Sequence, residues 1–242
     1  MYLKNYKIII ALAIGMVVNN LEAEVKIIEA EGDVMVRFGI EESWHKAQIG
    51  SILKNIDSIL SGENGSVLLE LDSGIQFKLG PNTILDIADI REIQERELFM
   101  YLMSQKIDKL EAPDDGKPIK VGNVSIIHGD SKQVDKPIEP AKEQEDWYPF
   151  EVNGAMALYD HQYYPNTIIK CMKIQNKYDT SRDAGKIDYL IAKSFEGIND
   201  PAQARDAYQN ALDEYSQFKD PSAKEQSWVA DARQALQRID RE

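Results

Sequence analysis

From residue 24 onward the chain first alternates. Val25 to Ala30 forms an apolar-rich run, Glu-Gly-Asp follows at 31–33, and Val34, Val36 and Phe38 then alternate with other residues. A half-buried strand requires that two-residue period. Val67-Leu68-Leu69-Glu70-Leu71 and Ile75-Gln76-Phe77-Lys78-Leu79 flank Asp72-Ser73-Gly74, the composition of a tight turn between two paired strands. Thr83 to Ile90 reads as a further strand. Gly39, Gly50, Gly62, Gly65, Gly74 and Gly80 punctuate these runs at the spacing of short strands. The pattern predicts a small all-β sandwich or roll.

The period changes after residue 92. Ile93, Leu98, Phe99, Leu102, Met103, Ile107 and Leu110 are spaced mainly by three to five, which predicts an amphipathic helix over 92–110. The strand character of Phe99-Met100-Tyr101 leaves continuation of the sheet over Glu97 to Met103 as the alternative. Ala112 to Pro118 is turn-rich, and Val121 to His128 reads as one last strand. Gly129 to Pro149 lacks periodicity and carries Pro137, Pro140 and several charges, the composition of a solvated linker.

Residues 150–240 contain an internal repeat. Gly154-Ala155, Leu158, Thr167, Cys171, Ile174 and Tyr178 recur 37 residues later as Ile191-Ala192, Phe195, Ala204, Tyr208, Ala211 and Tyr215. Each unit reads as two helical stretches joined by a short turn. Pro165 and Pro201 fall where the second helix begins, and there a missing N–H costs nothing. A last amphipathic helix, Ser222 to Ile239, carries Trp228, Ala232, Ala235, Leu236 and Ile239 as its apolar face. The expected organisation is a leader at 1–23, a β module at 24–128 that includes the helix near 92–110, a linker at 129–149 and a helical domain at 150–242.

Two families share these patterns. Gly32-Asp33-Val34, Trp44, Ala47, Gly50, Leu53, Asp57-Ser58-Ile59 and Ser61-Gly62 stand in the order seen in FecR domains. Gly65-Ser66-Val67-Leu68-Leu69, Leu71, Gly74-Ile75, Leu79, Pro81-Asn82-Thr83 and Leu85 continue that order. Over residues 25–90 the chain therefore resembles a FecR domain, which implies a periplasmic β module. Signalling members of that family place a sigma-binding region before a membrane span. Here only about seven residues precede the apolar segment, so direct sigma regulation is not expected. The 37-residue units resemble tetratricopeptide repeats, the second (Ile191-Ala192, Phe195, Ala204, Tyr208, Ala211) more closely than the first. Two units and a capping helix fall short of the roughly three repeats a solenoid needs. A partner or a second copy would complete the array.

Charge and the N-terminus narrow the setting. Lys4 and Lys7 precede an apolar run from Ile8 to Val18, and Leu21-Glu22-Ala23 suits a cleavage site. That is a signal peptide, with an uncleaved anchor as the alternative and membrane association only through it. Eleven apolar residues fall short of the roughly 20 a comfortable span needs. Cys171 is the single cysteine, so no internal disulfide forms, and export without one suits the periplasm of a Gram-negative-type bacterium. The net charge of −13 argues against a nucleic-acid partner. The acid is concentrated in residues 24–112, which hold 9 basic and 17 acidic side chains.

No catalytic motif emerges. His45, His128 and His161 are too scattered for metal-ligand spacing, and neither a phosphate-binding glycine loop nor Gly-x-Ser-x-Gly occurs. Cys171 sits at a repeat position expected to pack rather than react. Trp44 is expected as a packing residue, with a glycan platform as the alternative. No enzyme, cofactor or metal is expected. The tetratricopeptide resemblance implies that the first helix of each unit lines a peptide-binding face. In that register the face comprises Val152, Met156 and Tyr159 from unit one, and Lys186, Tyr189, Lys193 and Glu196 from unit two. The expected function is a cell-envelope scaffold for a protein or peptide partner. A sensory part of a trans-envelope signalling route and a glycan-binding module are the alternatives.

Overall fold

The computed structural model describes residues 24–108, 146–178, 183, 185–217 and 223–241. Its N-terminal part is two antiparallel four-stranded sheets. The first contains β1 (Val25–Glu31), β4 (Ile52–Leu53), β6 (Ser66–Leu71) and β7 (Gln76–Leu79), in the order β4-β1-β6-β7. The second contains β2 (Val34–Arg37), β3 (His45–Lys46), β5 (Ser58–Ser61) and β8 (Thr83–Asp86), in the order β3-β2-β5-β8.

Alternation decides what each strand buries. Val25 and Ile27 of β1, Val34 and Val36 of β2, and Phe77 and Leu79 of β7 point inward, while Lys26, Gln76 and Lys78 face water. The pairing of β1 with β6 shifts by one residue between Ile27 and Glu29, a bulge that re-aims the end of β1. Asp57 organises the approach to β5 by accepting the N–H groups of Gly39 and Lys54, both at 2.8 Å. Gly74, at φ +76°, supplies the left-handed turn residue of the β6–β7 hairpin.

The open side of this sandwich is closed from far along the sequence. Edge strands β7 and β8 meet helix α2 (Tyr148–Asp160), whose Leu158 is fully buried within the sandwich's own hydrophobic core. Close approach depends on Gly154, because a Cβ there would collide with the Ile84 carbonyl oxygen of β8. Asn153 donates to the Asn82 carbonyl at 2.7 Å. The His161 ring stacks on Phe77 at 4.1 Å, with Nε2 3.0 Å from the Lys78 N–H and 3.1 Å from its carbonyl. One helix end thus covers the exposed backbone of an edge strand.

Residues 24–92 and 148–241 consequently form one compact unit. The boundaries drawn from sequence at 128 and 149 cut across this connection, which local patterns do not record. A second unit holds α1 (Glu95–Asp108), which occupies the stretch weighed between helix and strand. The leader, the strand expected over Val121 to His128 and the linker up to residue 145 lie outside the described residues.

The C-terminal part is α-helical: α2 is followed by α3 (Tyr164–Lys177), α4 (Lys186–Gly197), α5 (Pro201–Gln217) and α6 (Ala223–Ile239). Pro165 lies in the first turn of α3 and Pro201 begins α5, as the sequence predicts. The 37-residue register coincides with burial. Ala155, Leu158, Thr167, Cys171 and Ile174 are inaccessible, as are Ala192, Ala204, Tyr208 and Ala211, with Ile191 and Phe195 nearly so. Small residues at these positions let paired helices approach closely. The overall class is β followed by all-α.

Candidate interaction surface

Helices α2, α4 and α6 each contribute to one polar strip. Tyr189, Lys193 and Glu196 stand at i, i+4 and i+7 on α4, so a single helix face carries all three. The Tyr189 hydroxyl donates to Asp231 Oδ2 of α6 at 2.7 Å. Lys193 Nζ lies 3.6 Å from the same Asp231 oxygen and 3.5 Å from Glu196 Oε2. Tyr208 of α5 donates to Glu196 Oε2 at 2.6 Å, and the Arg238 guanidinium pairs with the other Glu196 oxygen. Tyr159 of α2 stands close by, with Lys193 and Glu196 near enough to act on its hydroxyl. Beneath the strip the Tyr189 ring lies 5.2 Å from Trp228 and 6.0 Å from Tyr208.

The electrostatics keep these phenols protonated. Burial, then Asp231, pushes the Tyr189 hydroxyl up, and burial with Glu196 does the same to Tyr208. Burial also raises Tyr159, against the opposing pull of Lys193. The phenols therefore act as donors at neutral pH rather than as nucleophiles. The charged members remain partly open to water, with Lys193 28% and Arg238 58% exposed.

Of the residues expected on a peptide-binding face, Tyr159, Tyr189, Lys193 and Glu196 come together here. Val152 is buried and Met156 half-buried on α2. Lys186 opens α4, its backbone N–H bonded to Asp183 at 3.0 Å, about 10.5 Å before Lys193 along the helix. Sequence reasoning missed Asp231 and Arg238. It read the last helix by its apolar face alone, although their i, i+7 spacing on the helix was available.

A second cluster, also missed, locks the sandwich to the helices. Lys170 of α3 is nearly inaccessible and stands 3.0 Å from Asp89 and 3.5 Å from Glu151. Lys173 reaches Asp89 at 3.1 Å, while Lys177 and the Tyr178 hydroxyl reach Glu151 at 2.6 Å and 2.9 Å. Asn166 donates to the carbonyls of Asp89 and Arg91 at 2.7 Å and 2.8 Å. Burial alone would raise both carboxyls, but the lysines hold Asp89 and Glu151 below their ordinary values. Burial opposes the charge of Lys170, yet Asp89 and Glu151 raise it above the ordinary lysine value. Lys170 follows Ile168 and Ile169 in sequence, and that buried neighbourhood was its only signal.

The remaining candidates have structural employment. Cys171 is fully buried, and burial drives its thiol upward, away from the reactive thiolate. His45 is exposed and lies 2.9 Å from Glu41. Trp44 is half-buried, with the Arg37 guanidinium 5.1 Å from its ring centre, a cation–π contact that occupies one face. Among the described residues no His, Cys, Asp and Glu group is arranged to hold a metal ion, and no helix is long and apolar enough to cross a membrane. No family model, no curated protein and no solved structure matches the chain.

Proposed function

We propose that this protein is a non-enzymatic scaffold of the bacterial cell envelope, in which a FecR-like β module is fused to tetratricopeptide-like helical pairs that hold a peptide or protein segment. The observation that carries this reading is the convergence of Tyr159, Tyr189, Lys193 and Glu196 with Asp231 and Arg238 in one partly exposed strip across three helices. Aromatic faces supply apolar contact at low entropic cost, and the paired charges supply groups that can exchange partners. An acidic side chain of an extended peptide would compete with Asp231 and Glu196 for Lys193. The leader and the absence of disulfide-forming cysteines support a periplasmic setting.

The test is a binding titration of extended peptides of differing charge, on the wild type and on Lys193→Glu and Tyr189→Ala. Far-ultraviolet circular dichroism is recorded on each to verify folding. The scaffold reading expects Lys193→Glu to lose acidic peptides while staying helical. Identical peptide retention by all three proteins would count against it.

A further inference from the structure

Exposed large hydrophobic side chains of the sandwich are unevenly placed. Phe38, Ile40, Ile52, Ile56 and Ile75 are 38–100% exposed, with Ile40 wholly so. Strand pairing puts them at one end. Val25 pairs with both Leu53 and Leu71, so the start of β1 and the ends of β4 and β6 coincide. Arg37 pairs with Ser58, so the end of β2 meets the start of β5, and residues 54–57 join the two sheets there. Gly39 lies against the Ile56 side chain, which places Phe38 and Ile40 beside it, while Ile75 stands in the β6–β7 turn and Ile52 one residue in from the end of β4. Trp44 closes the same β2–β3 loop under Arg37. The opposite end is built from Gly32, Asp33, Gly62, Asn64, Gly65, Pro81 and Asn82, and away from the rim Ile49 of the β3–β4 loop is also exposed, at 68%, without an exposed large apolar neighbour beside it.

The chain enters the fold at this apolar end. The Glu24 N–H is bonded to Asp72 Oδ2 at 2.7 Å, beside the β6–β7 turn. Directly before it in sequence come 23 residues with Lys4, Lys7 and the apolar run Ile8 to Val18. A segment of that composition partitions into a bilayer and delivers whatever follows it to the membrane surface. Isolated apolar side chains beside a tryptophan suit the zone where headgroups meet acyl chains. The surrounding Glu24, Glu41, Glu42 and Asp72 disfavour an anionic surface, so the fitting surface is zwitterionic.

We propose that the rim formed by Phe38, Ile40, Ile56 and Ile75 seats in the interface of a zwitterionic phospholipid bilayer, with the sandwich standing end-on. The proposal rests on the uncleaved-anchor reading of the leader and adds an orientation to it. It makes the sandwich end a membrane contact and leaves the helical strip as a separate question.

The experiment uses the full chain carrying Ile40→Cys or, as control, Asn210→Cys on α5, each labelled with an environment-sensitive dye. Cys171 is fully buried and does not compete for label in the folded protein. The proteins are mixed with phosphatidylcholine vesicles with and without nitroxide lipids and floated on a density gradient. The expected result is a blue shift and nitroxide quenching at position 40 and neither at position 210, with quenching at 40 reduced by Ile56→Asp. Co-flotation with a water-like dye at position 40 overturns the seating while leaving the leader's membrane affinity standing. Absence of flotation overturns both. Shielding at position 40 that grows with protein concentration without vesicles assigns the rim to a second copy and also overturns it.

Discussion

Lys170 Nζ of α3 lies 3.0 Å from Asp89 Oδ2, just past the end of β8, and their side chains are only 5% and 6% exposed. A buried pair of this kind contributes little net stability when intact, because desolvating both ions offsets most of their attraction. Removing one partner is different, because the other charge is left in a poor solvent. Lys170→Met, which leaves Asp89 to Lys173 and Glu151 to Lys177, is expected to destabilise in a urea titration by less than the roughly 3–5 kcal/mol of a fully stranded buried charge. The double variant Lys170→Met/Asp89→Leu is expected to recover part of that loss.

The same cluster sets an acid limit. Asp89 and Glu151 sit below their ordinary values of 3.8 and 4.5, so the folded state holds fewer protons than the unfolded one. Their contribution is fully present above the ordinary carboxylate range and is lost as pH falls through the depressed folded values. Lys170, raised above 10.5, contributes below that value and loses its share as pH rises through the folded one. Thermal midpoints measured across pH are expected to drop at both extremes, and Asp89→Asn is expected to flatten the acid drop.

Glu214 on α5 runs opposite to Asp89 and Glu151. Burial, reinforced by Asp188 and Asp183, pushes it from 4.5 up to about 7. Its raised value makes the folded state hold the proton more tightly, so stability declines as pH rises from 4.5 through about 7. Glu214→Gln is expected to remove that decline, which denaturant titrations at the two ends of the range will read.

Leu158 and Gly154 test whether sandwich and helices are one cooperative body. Leu158→Ala opens a cavity in the β core from within a helix and is expected to cost about 2–5 kcal/mol. Gly154→Ala forces α2 off the Ile84 carbonyl and is expected to cost about 1–3 kcal/mol. In both, strand and helix signals are expected to fall in a single transition at lower denaturant. A sandwich that keeps its wild-type midpoint while the helices melt early would contradict this.

The Cys171 thiol is expected to resist modification in the native protein. Its burial both shields it and disfavours the thiolate. Reaction with an aromatic disulfide reagent is expected to follow unfolding across a urea series. Fast labelling in buffer would instead mean that α3 opens locally.

Local patterns were readable and long-range ones were not. Alternation located Val34, Val36, Phe77 and Leu79 in strands, Asp72-Ser73-Gly74 in a hairpin, and Pro165 and Pro201 at helix starts. The repeat identified the buried register because helix packing imposes the same small and apolar residues on each pair. Within the strip, Tyr189, Lys193 and Glu196 were named only through the tetratricopeptide resemblance, which spacing alone does not supply. What escaped depends on residues distant in sequence: Leu158 entering the sandwich core, Lys170 meeting Asp89 across 81 positions (170 − 89), and Asp231 meeting Tyr189. No window of neighbouring residues encodes those meetings. A leucine on a helix looks alike whichever core receives it.

The closure of the sandwich by α2 also orders events in time. A chain made from its N-terminus presents β1 to β8 before Gly154 and Leu158 have appeared. During that interval β7 and β8 have unsatisfied backbone edges and an unsealed core, the condition in which sheets recruit strangers. The nascent protein therefore passes through a window in which holdase chaperones have most to offer, and the window shuts when one distant helix arrives.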